Sequence, residues 1–331
     1  MQSLTAILTI TLIIAFALSY LMVPLLRKLS LRYGFVDRPN PRKLHKEPIP
    51  VLGGAAIYFG FLITIFLMEL VTGHVTQTFY GIAIGGFLLF AIGLVDDYFK
   101  TRGKDFPAWP KFLTHIAAAG VLILFDVKVE SLTIPWIDLP YYNFEAHGMG
   151  WLSPVVTILW VVALTNMLNF LDGADGLAAG IASISGTSLL SMAVLTGNPT
   201  GVAMYAVALV GVSLAFLKHN FHPARIFMGD AGATFLGFTL AAIAVDGAFK
   251  SATFVSVAVP VLALGVPIFD TIFVIIRRLK EKRPIHHADK SHTHHTLMKS
   301  GLSQVQTVSF MYLLGICFSL ASIVVLLVNK S

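Results

Sequence analysis

The sequence predicts an all-α integral membrane protein with about ten transmembrane helices (nine to eleven), forming a single domain over residues 1–331. Composition is the first observation behind this. Only 12% of the 331 residues are Asp, Glu, Lys or Arg, whereas 56% are hydrophobic and the mean hydropathy is +0.80. About a quarter of an ordinary soluble chain is charged, so a soluble globule and a disordered chain are both excluded. The second observation is that apolar runs approaching the roughly 20 residues that cross a bilayer recur along the chain.

The apolar runs define the elements in order. The first, 4–24, has neither a basic segment before it nor a small-residue cleavage site, so we interpret it as a retained span and not as a signal peptide. The fourth is short, and only a Gly-Asp cluster separates the fifth from the sixth, which leaves the count between nine and eleven. The remaining predicted spans are 51–70, 79–95, 112–125, 151–170, 177–196, 202–217, 233–246, 252–276 and 306–328.

One segment between spans does not have the character of a helix. Residues 126–145 alternate apolar and polar side chains around Pro135, which predicts a small outer β-hairpin. The single cysteine, Cys317, lies in an apolar run and excludes an intramolecular disulfide or a cysteine-based metal site.

The basic residues predict the orientation. With ten spans, 20 of the 23 Lys and Arg residues fall in one set of loops, and only Lys128, Lys250 and Lys330 fall in the other. Cytoplasmic loops retain positive charge, so we expect five loops in the cytoplasm and both termini outside. Most of these cations are accounted for by topology and by contact with anionic lipid. The net charge of +6 and the pI of about 9.4 are therefore no sign of nucleic-acid binding.

Five carboxylates stand at span ends on the predicted cytoplasmic side, where each costs several kcal/mol unless a partner stabilises it. They are Asp96, Asp97, Asp172, Asp175 and Asp230. Capping of a following helix is the alternative for Asp172, Asp175 and Asp230, and a solvated helix end is the alternative for the adjacent pair.

The pattern around the fifth span favours a ligand site over capping alone. Asn166, Asn169 and Asp172 are spaced i, i+3, i+6, so their side chains project in overlapping directions on a helix. Glycines at 173 and 176 then allow a tight turn and a close approach of the backbone to a ligand. Asp230 also follows a glycine at a helix start, an environment that suits phosphate and its hard cation.

Histidines and basic residues lie in the same predicted cytoplasmic loops. The last basic loop places five His within ten residues, among them His292, His294 and His295. Zinc is one alternative for these three, but an anion-binding loop that closes over phosphate is preferred because the surrounding sites are rich in carboxylate. The first loop contributes Lys43 and His45. Carboxylates beneath basic loops indicate Mg²⁺ together with a polyanionic phosphate substrate.

Five motifs in register resemble the polyprenyl-phosphate N-acetylhexosamine-1-phosphate transferases over nearly the whole chain. They are PNPRKLHKEPIPVLGG, GLVDDYFK, NMLNFLDGADGLAAG, FMGDAG and SHTHH. The resemblance implies a Mg²⁺-dependent enzyme of the bacterial inner membrane, with Mn²⁺ as a substitute, that moves a sugar-1-phosphate from a UDP-sugar to undecaprenyl phosphate and releases UMP. It further implies ten or eleven helices, a groove for the lipid tail and, in many members, a homodimer.

The resemblance also implies roles for residues at the matching motif positions. Asp230 is expected as a Mg²⁺ ligand with help from Asp172, and Asp96 and Asp97 as the catalytic pair. Substrate binding is expected from Asn169, Asp175, Phe227, Lys43, His45, His292, His294 and His295, with Phe227 stacking on uracil.

Two alternatives stay open, a second branch of the family and a protein of another class. NFLDGADGL and HTHH favour the UDP-GlcNAc branch over phospho-MurNAc-pentapeptide transfer, whose members carry NLTDGLDGL and adjacent histidines. A secondary transporter is the alternative from another class, because Pro260, Pro267 and Asp270 fit a broken intramembrane helix. Transporter sites lie near the midplane, however, whereas the polar residues here gather at one face. The predicted product is undecaprenyl-diphospho-GlcNAc, for a glycopolymer of teichoic acid or O-antigen type.

Overall fold

The computed structural model describes residues 2–39, 47–73, 75–132, 142–196, 201–247, 255–281 and 292–328. Twelve helices form nearly all of the regular structure within these ranges. They are α1 (Gln2–Arg32), α2 (Gly53–Thr72), α3 (Gln77–Thr101), α4 (Ala108–Leu124), α5 (Leu152–Leu171), α6 (Leu177–Thr196), α7 (Val202–Asn220), α8 (Gly229–Gly247), α9 (Val255–Ala263), α10 (Gly265–Lys280), α11 (Thr293–Lys299) and α12 (Gln304–Val328).

Each predicted span corresponds to a helix or, for 252–276, to two helices. Within the described ranges, seven helices are long and apolar enough to cross a membrane: α1, α2, α3, α5, α6, α7 and α12. Helix α4 is apolar but shorter. The all-α membrane class is therefore confirmed, while the count of ten spans stays a prediction.

The predicted span 252–276 is interrupted at Leu264, between α9 and α10. Pro260 lies inside α9, and Pro267 lies in the first turn of α10, where a missing N–H is tolerated. Because proline cannot donate to the carbonyl four residues earlier, a continuous helix would lose that hydrogen bond. The interruption agrees with the broken helix that the two prolines indicate in the sequence.

Helix α8 forms the centre of the bundle. Every residue from Asp230 to Val245 is buried, and α8 packs against α2, α3, α5, α6 and α7. A helix that is apolar all round has no face that prefers water, which favours this enclosed position. On one side Phe235 meets Tyr58 edge to face, with ring centroids 5.1 Å apart, and Tyr58 stacks on Phe90 at 4.7 Å.

Close backbone approaches fix the beginning of α8 against α2 and α3. The Gly53 and Gly54 N–H groups donate to the Phe227 and Met228 carbonyls at 2.9 and 3.0 Å. A β-carbon on Gly54 would overlap the backbone at Gly232, and one on Gly93 would overlap the backbone at 231. The glycines at 54 and 93 therefore let α2, α3 and α8 converge at one end of the bundle.

Two small antiparallel sheets complete the fold. Strand β1 (Val36–Asp37) pairs with β2 (Ile49–Pro50), and β3 (Ser131–Leu132) pairs with β4 (Tyr142–Asn143). The β3–β4 pair confirms strands within the segment 126–145. Pro135 lies outside the described residues, and the outer location of this pair stays a prediction.

Candidate functional site

Three carboxylates meet where α3 ends and α8 begins. Asp96 and Asp97 lie near the end of α3, and Asp230 is the second residue of α8. All three are buried, with Asp96 and Asp97 each only 2% exposed. One oxygen from each lies within 4.8 Å of the others. We call these residues the carboxylate cluster; the structure brings together three of the five aspartates that the sequence singled out.

Asp97 contacts the backbone at the beginning of α8. Its Oδ1 accepts the Asp230 N–H at 2.9 Å, and its Oδ2 accepts the Ala231 N–H at 3.3 Å. The first N–H groups of a helix have no partner within that helix, so Asp97 caps α8 from a neighbouring helix. Gly229 has a φ of 65°, and a β-carbon there would overlap the Asp97 carboxylate. Asp97 therefore fixes where Asp230 lies.

Two lysines offset part of the negative charge of the carboxylate cluster. The Lys100 Nζ lies 2.6 Å from Asp96 Oδ2 and 2.6 Å from Asp230 Oδ1. Lys111, in the first turn of α4, pairs with Asp230 Oδ2 and lies 3.4 Å from Asp96 Oδ2. The sequence reasoning counted both lysines only as topology signals. Lys100 could have been found from its i+4 spacing to Asp96, whereas nothing local connects Lys111 to residues on other helices.

The turn that follows α5 forms the second part of the site. Asp172 ends α5, and burial together with the negative charge of Asp230 raises the pKa of its carboxyl to about 7. Asp172 thus lies in the field of the carboxylate cluster without belonging to the group within 4.8 Å. Asn166, expected to project alongside Asp172, donates instead to the Val162 carbonyl at 2.7 Å and lies 3.1 Å from His115 Nδ1.

Asp175 connects this turn to the segment that leads into α8. Its Oδ2 lies 2.8 Å from His222 Nδ1 and accepts the Ala224 N–H at 3.1 Å. The carboxylate predicted to bind substrate therefore also orders the segment between α7 and α8.

Asn220 and Tyr312 hold the same turn from two further helices. The Asn220 side chain accepts the Gly176 N–H and donates to the Ile226 carbonyl, both at 2.9 Å. Tyr312 of α12 donates its hydroxyl to the Gly176 carbonyl at 2.7 Å. An amide supplies one acceptor and two donors, so a single buried side chain joins both loops of the site.

The three predicted histidines lie at the beginning of α11 and border the turn after α5. The His292 ring lies 5.4 Å from the Phe170 ring, centroid to centroid, and the His294 ring packs against Gly173. His294 is 0% exposed, and burial, followed by the nearby His295, lowers its pKa to about 3. His294 is therefore neutral at physiological pH. It packs against the turn after α5, and its burial leaves little access for solvent.

Of the other residues predicted to bind substrate, the structure describes Phe227 and Asn169. Phe227 is half-buried, and its backbone is held by Pro50 and Gly53 through N–H to carbonyl bonds of 2.8 and 2.9 Å. Asn169 lies in the last turn of α5 and is half-buried. Lys43 and His45 lie outside the described residues.

The donor chemistry of the carboxylate cluster fits Mg²⁺. Hard oxygen donors are what this ion prefers, and it is commonly bound by one or two carboxylates plus substrate phosphate. Asp230 and Asp96 supply such oxygens, whereas both oxygens of Asp97 already accept backbone N–H groups. Within the described ranges this is the one group of acids and histidines close enough to share an ion, so the zinc alternative at the histidines gains no support there.

These features define a multi-pass helical membrane protein with a compact polar site at one end of its bundle, suited to a charged substrate. The family model described as glycosyl transferase family 4 matches residues 79–248, which contain all but the first two residues of α3, helices α4 to α8 and the carboxylate cluster. The chain belongs to this family, and the resemblance drawn from the five motifs is confirmed.

Relatives match over most of the chain. A Bacillus subtilis (strain 168) protein named as a probable undecaprenyl-phosphate N-acetylglucosaminyl 1-phosphate transferase is 37% identical over 320 residues, covering 95% of this chain and 85% of the relative. A decaprenyl-phosphate N-acetylglucosaminephosphotransferase of Mycolicibacterium smegmatis is 34% identical, covering 89% of this chain and 76% of the relative. The Escherichia coli (strain K12) undecaprenyl-phosphate alpha-N-acetylglucosaminyl 1-phosphate transferase is 28% identical, covering 85% and 73%.

Proposed function

We propose that this protein transfers GlcNAc-1-phosphate from UDP-GlcNAc to undecaprenyl phosphate, releasing UMP and forming undecaprenyl-diphospho-GlcNAc. The observation that carries the proposal is the carboxylate cluster with its two lysines, at one end of a membrane bundle, in a chain of this family. The names of the relatives support the sugar and the polyprenyl acceptor. The product would begin a cell-envelope glycopolymer of teichoic acid or O-antigen type.

The proposed location is the bacterial inner membrane, with the site at the cytoplasmic face and both termini outside. The distribution of Lys and Arg supports this orientation. The contact between the end of α3 and the beginning of α8 also supports this orientation. It places the site at the same end of the bundle as the segment between α3 and α4, which carries a lysine as expected of a cytoplasmic loop. A homodimer remains a prediction from the resemblance.

The proposed cofactor is Mg²⁺, with Mn²⁺ as a substitute. Asp230 and Asp96 would hold it, with help from Asp172 as the family motif implies. When bound, the ion would reduce the repulsion between the diphosphate and the lipid phosphate.

The proposed reaction is an in-line attack by an oxygen of undecaprenyl phosphate on the phosphorus attached to the sugar. The phosphorus–oxygen bond to the uridylyl group breaks and UMP leaves with the bonding electrons. Phosphoryl transfer depends mainly on positioning and charge neutralisation, which Lys100 and Lys111 provide beside the carboxylates.

Asp97 is better suited to positioning than to general-base catalysis. Both of its oxygens accept backbone N–H groups of α8, and it is 2% exposed. A phosphate monoester has its second pKa near 6, so the nucleophile is mostly dianionic at pH 7 and needs no base to remove a proton. Among the predicted catalytic pair, Asp96 is the one whose carboxylate faces both lysines.

The remaining proposed roles surround this centre. Phe227 would stack on uracil, while Asn169 and Asp175 would bind the nucleotide and diphosphate. Lys43, His45, His292, His294 and His295 would close over the phosphates. The His292 ring supports this by lying next to Phe170, whereas the buried His294 packs on Gly173 and would support the loop without itself contacting phosphate.

An exchange assay tests the proposal. Purified protein in detergent, with undecaprenyl phosphate, Mg²⁺ and UDP-GlcNAc, is expected to exchange labelled UMP into UDP-GlcNAc. UDP-MurNAc-pentapeptide in place of UDP-GlcNAc tests the other branch of the family, and omission of the lipid phosphate is the control. Exchange with the pentapeptide donor alone would overturn the sugar assignment, and absence of exchange with either donor would overturn the proposed activity.

A further inference from the structure

Asp270 is a buried aspartate outside the carboxylate cluster, and the proposed reaction assigns it no role. Asp270 lies in α10, among the apolar residues Phe269, Ile272 and Phe273, and is only 4% exposed. A buried charge is costly unless it is paired and hydrogen-bonded, so its contacts account for its presence.

Both oxygens of Asp270 are used by the beginning of α11. Oδ2 lies 2.7 Å from His292 Nδ1, and Oδ1 accepts the Thr293 N–H at 2.7 Å. The Thr293 N–H belongs to the first turn of α11, where the helix itself supplies no acceptor. One carboxylate therefore fixes both the position of the backbone and the orientation of the imidazole ring.

The contact with Nδ1 determines which nitrogen of His292 serves another partner. An ionised carboxylate only accepts hydrogen bonds, so Nδ1 carries a proton in this arrangement. Nε2 is then the nitrogen left for a ligand, as a donor when the ring is charged and as an acceptor when it is neutral. A carboxylate that holds a histidine in one tautomer in this way is a recurrent device for orienting functional imidazoles.

The ring so oriented lies beside the turn after α5. It contacts Phe170, two residues before Asp172, at a centroid distance of 5.4 Å. His292 precedes His294, whose ring packs on Gly173 of the same turn. The Asp270–His292 pair therefore connects the interrupted helix α9–α10 to the proposed substrate site.

We propose that Asp270 is a positioning residue for the transfer reaction, which presents His292 Nε2 to a phosphate-bearing substrate at the turn after α5. This inference rests on the proposed function.

A double-mutant cycle in the UMP exchange assay tests the inference. Asp270→Ala is expected to lower kcat/KM by about 10- to 100-fold, the usual cost of removing a partner that orients a functional histidine. His292→Ala should have a similar or larger effect, and the double variant should be no worse than His292→Ala alone. Losses that multiply in the double variant would show that Asp270 acts independently of His292 and would overturn the inference.

If Asp270→Ala does not fold, Asp270→Asn tests the same inference. The asparagine oxygen can still accept the Thr293 N–H, but its NH₂ group then faces His292 Nδ1 and requires the other tautomer. We expect an unchanged melting temperature and a loss of activity of at least 10-fold, as expected for a histidine held in the wrong tautomer. Wild-type kcat/KM in Asp270→Asn would overturn the inference.

Glu281→Gln is the matched control. Glu281 ends the same helix, is exposed, and pairs with Arg277 at 3.0 Å, so its loss should leave exchange unchanged. If the wild-type protein itself shows no exchange, the proposed function fails. If the wild-type protein is active and the Asp270 variants match it, only the positioning role fails.

Discussion

Buried acids at opposite ends of the bundle are stabilised in different ways. At one end Glu69, near the end of α2 and 1% exposed, accepts the Thr76 N–H at 2.9 Å, the Thr76 hydroxyl at 2.7 Å and the Tyr205 hydroxyl at 2.5 Å. We call these residues the Glu69 cluster. Gly53, which meets the backbone at the start of α8, lies 16 residues earlier on α2, about 24 Å away along the axis.

At the other end, the carboxylate cluster contains three acids and two lysines. Two unit charges 4.8 Å apart repel by about 3 kcal/mol at an effective dielectric constant of 20, so Asp96, Asp97 and Asp230 oppose one another. Neutral donors satisfy one acid at the Glu69 cluster, whereas ammonium groups offset several at the carboxylate cluster. Burial is therefore common to both ends, whereas the concentration of like charge is found at the carboxylate cluster.

Unlike the Glu69 cluster, the carboxylate cluster is expected to be indispensable for activity. Asp230→Asn is expected to abolish Mg²⁺-dependent UMP release, with a loss of at least about 10³-fold, because the variant loses the charge that faces both lysines. Steady-state exchange kinetics measure this. Asp246→Asn, near the other end of the same helix and bonded to Thr78 at 3.1 Å, is the matched control and should remain active.

Lys111 tests whether the cations at the carboxylate cluster serve the reaction or only offset the acids. Lys111→Met is expected to reduce kcat/KM by about 10²-fold, as for the removal of a single charge-stabilising donor. Lys128→Met, which removes a lysine paired with Asp126 at 3.1 Å near β3, is the control and should have wild-type kinetics. Full activity in Lys111→Met would mean that this lysine is structural.

At the Glu69 cluster we expect a substitution to reduce stability and to leave activity intact. Glu69→Ala leaves two hydroxyls and a backbone N–H without their acceptor, each costing about 1–3 kcal/mol if it finds no other. We expect a melting temperature lower by at least about 5 °C in detergent, with kcat retained at 20 °C. A loss of kcat without a loss of stability would contradict the structural interpretation and weaken the contrast between the two ends.

A smaller, pH-dependent effect is expected from His294. Its lowered pKa means that the unfolded imidazole gains a proton below about pH 6.5 while the folded one stays neutral down to about pH 3. The stability it contributes is therefore complete above pH 6.5 and is lost as the pH falls. Between pH 7.5 and pH 5.0, the melting temperature should decrease less in His294→Leu than in the wild type. His147 is exposed, and His147→Leu should show the same decrease as the wild type.

The sequence allowed much of the fold and part of the site to be predicted. Apolar runs identified the helices, and span-end aspartates identified Asp96, Asp97 and Asp230, because burial of a charge in lipid is costly wherever it occurs. The cap that Asp97 forms on α8 could not be predicted, nor could the pairing of Asp230 with Lys111. Each joins helices far apart in the chain, and no local pattern encodes such a contact.

The prolines at 260 and 267 show a different limit of sequence reasoning. They were recognised as features of a broken helix but assigned to a transporter alternative, which family membership leaves without support. Asp270, which follows the break in α10, was noted for the same reason. Its partner His292 lies 22 residues later, and only the folded chain brings them within 2.7 Å.

The enclosed position of α8 has a consequence for biosynthesis. Helices α2, α3, α5, α6 and α7, against which α8 packs, all precede it in the chain, and synthesis proceeds from the N-terminus. The chain segments that enclose α8 are therefore synthesised before α8 itself. Asp230 likewise leaves the ribosome after Lys100 and Lys111, so both of its counter-charges are already part of the nascent chain when its own charge must be stabilised.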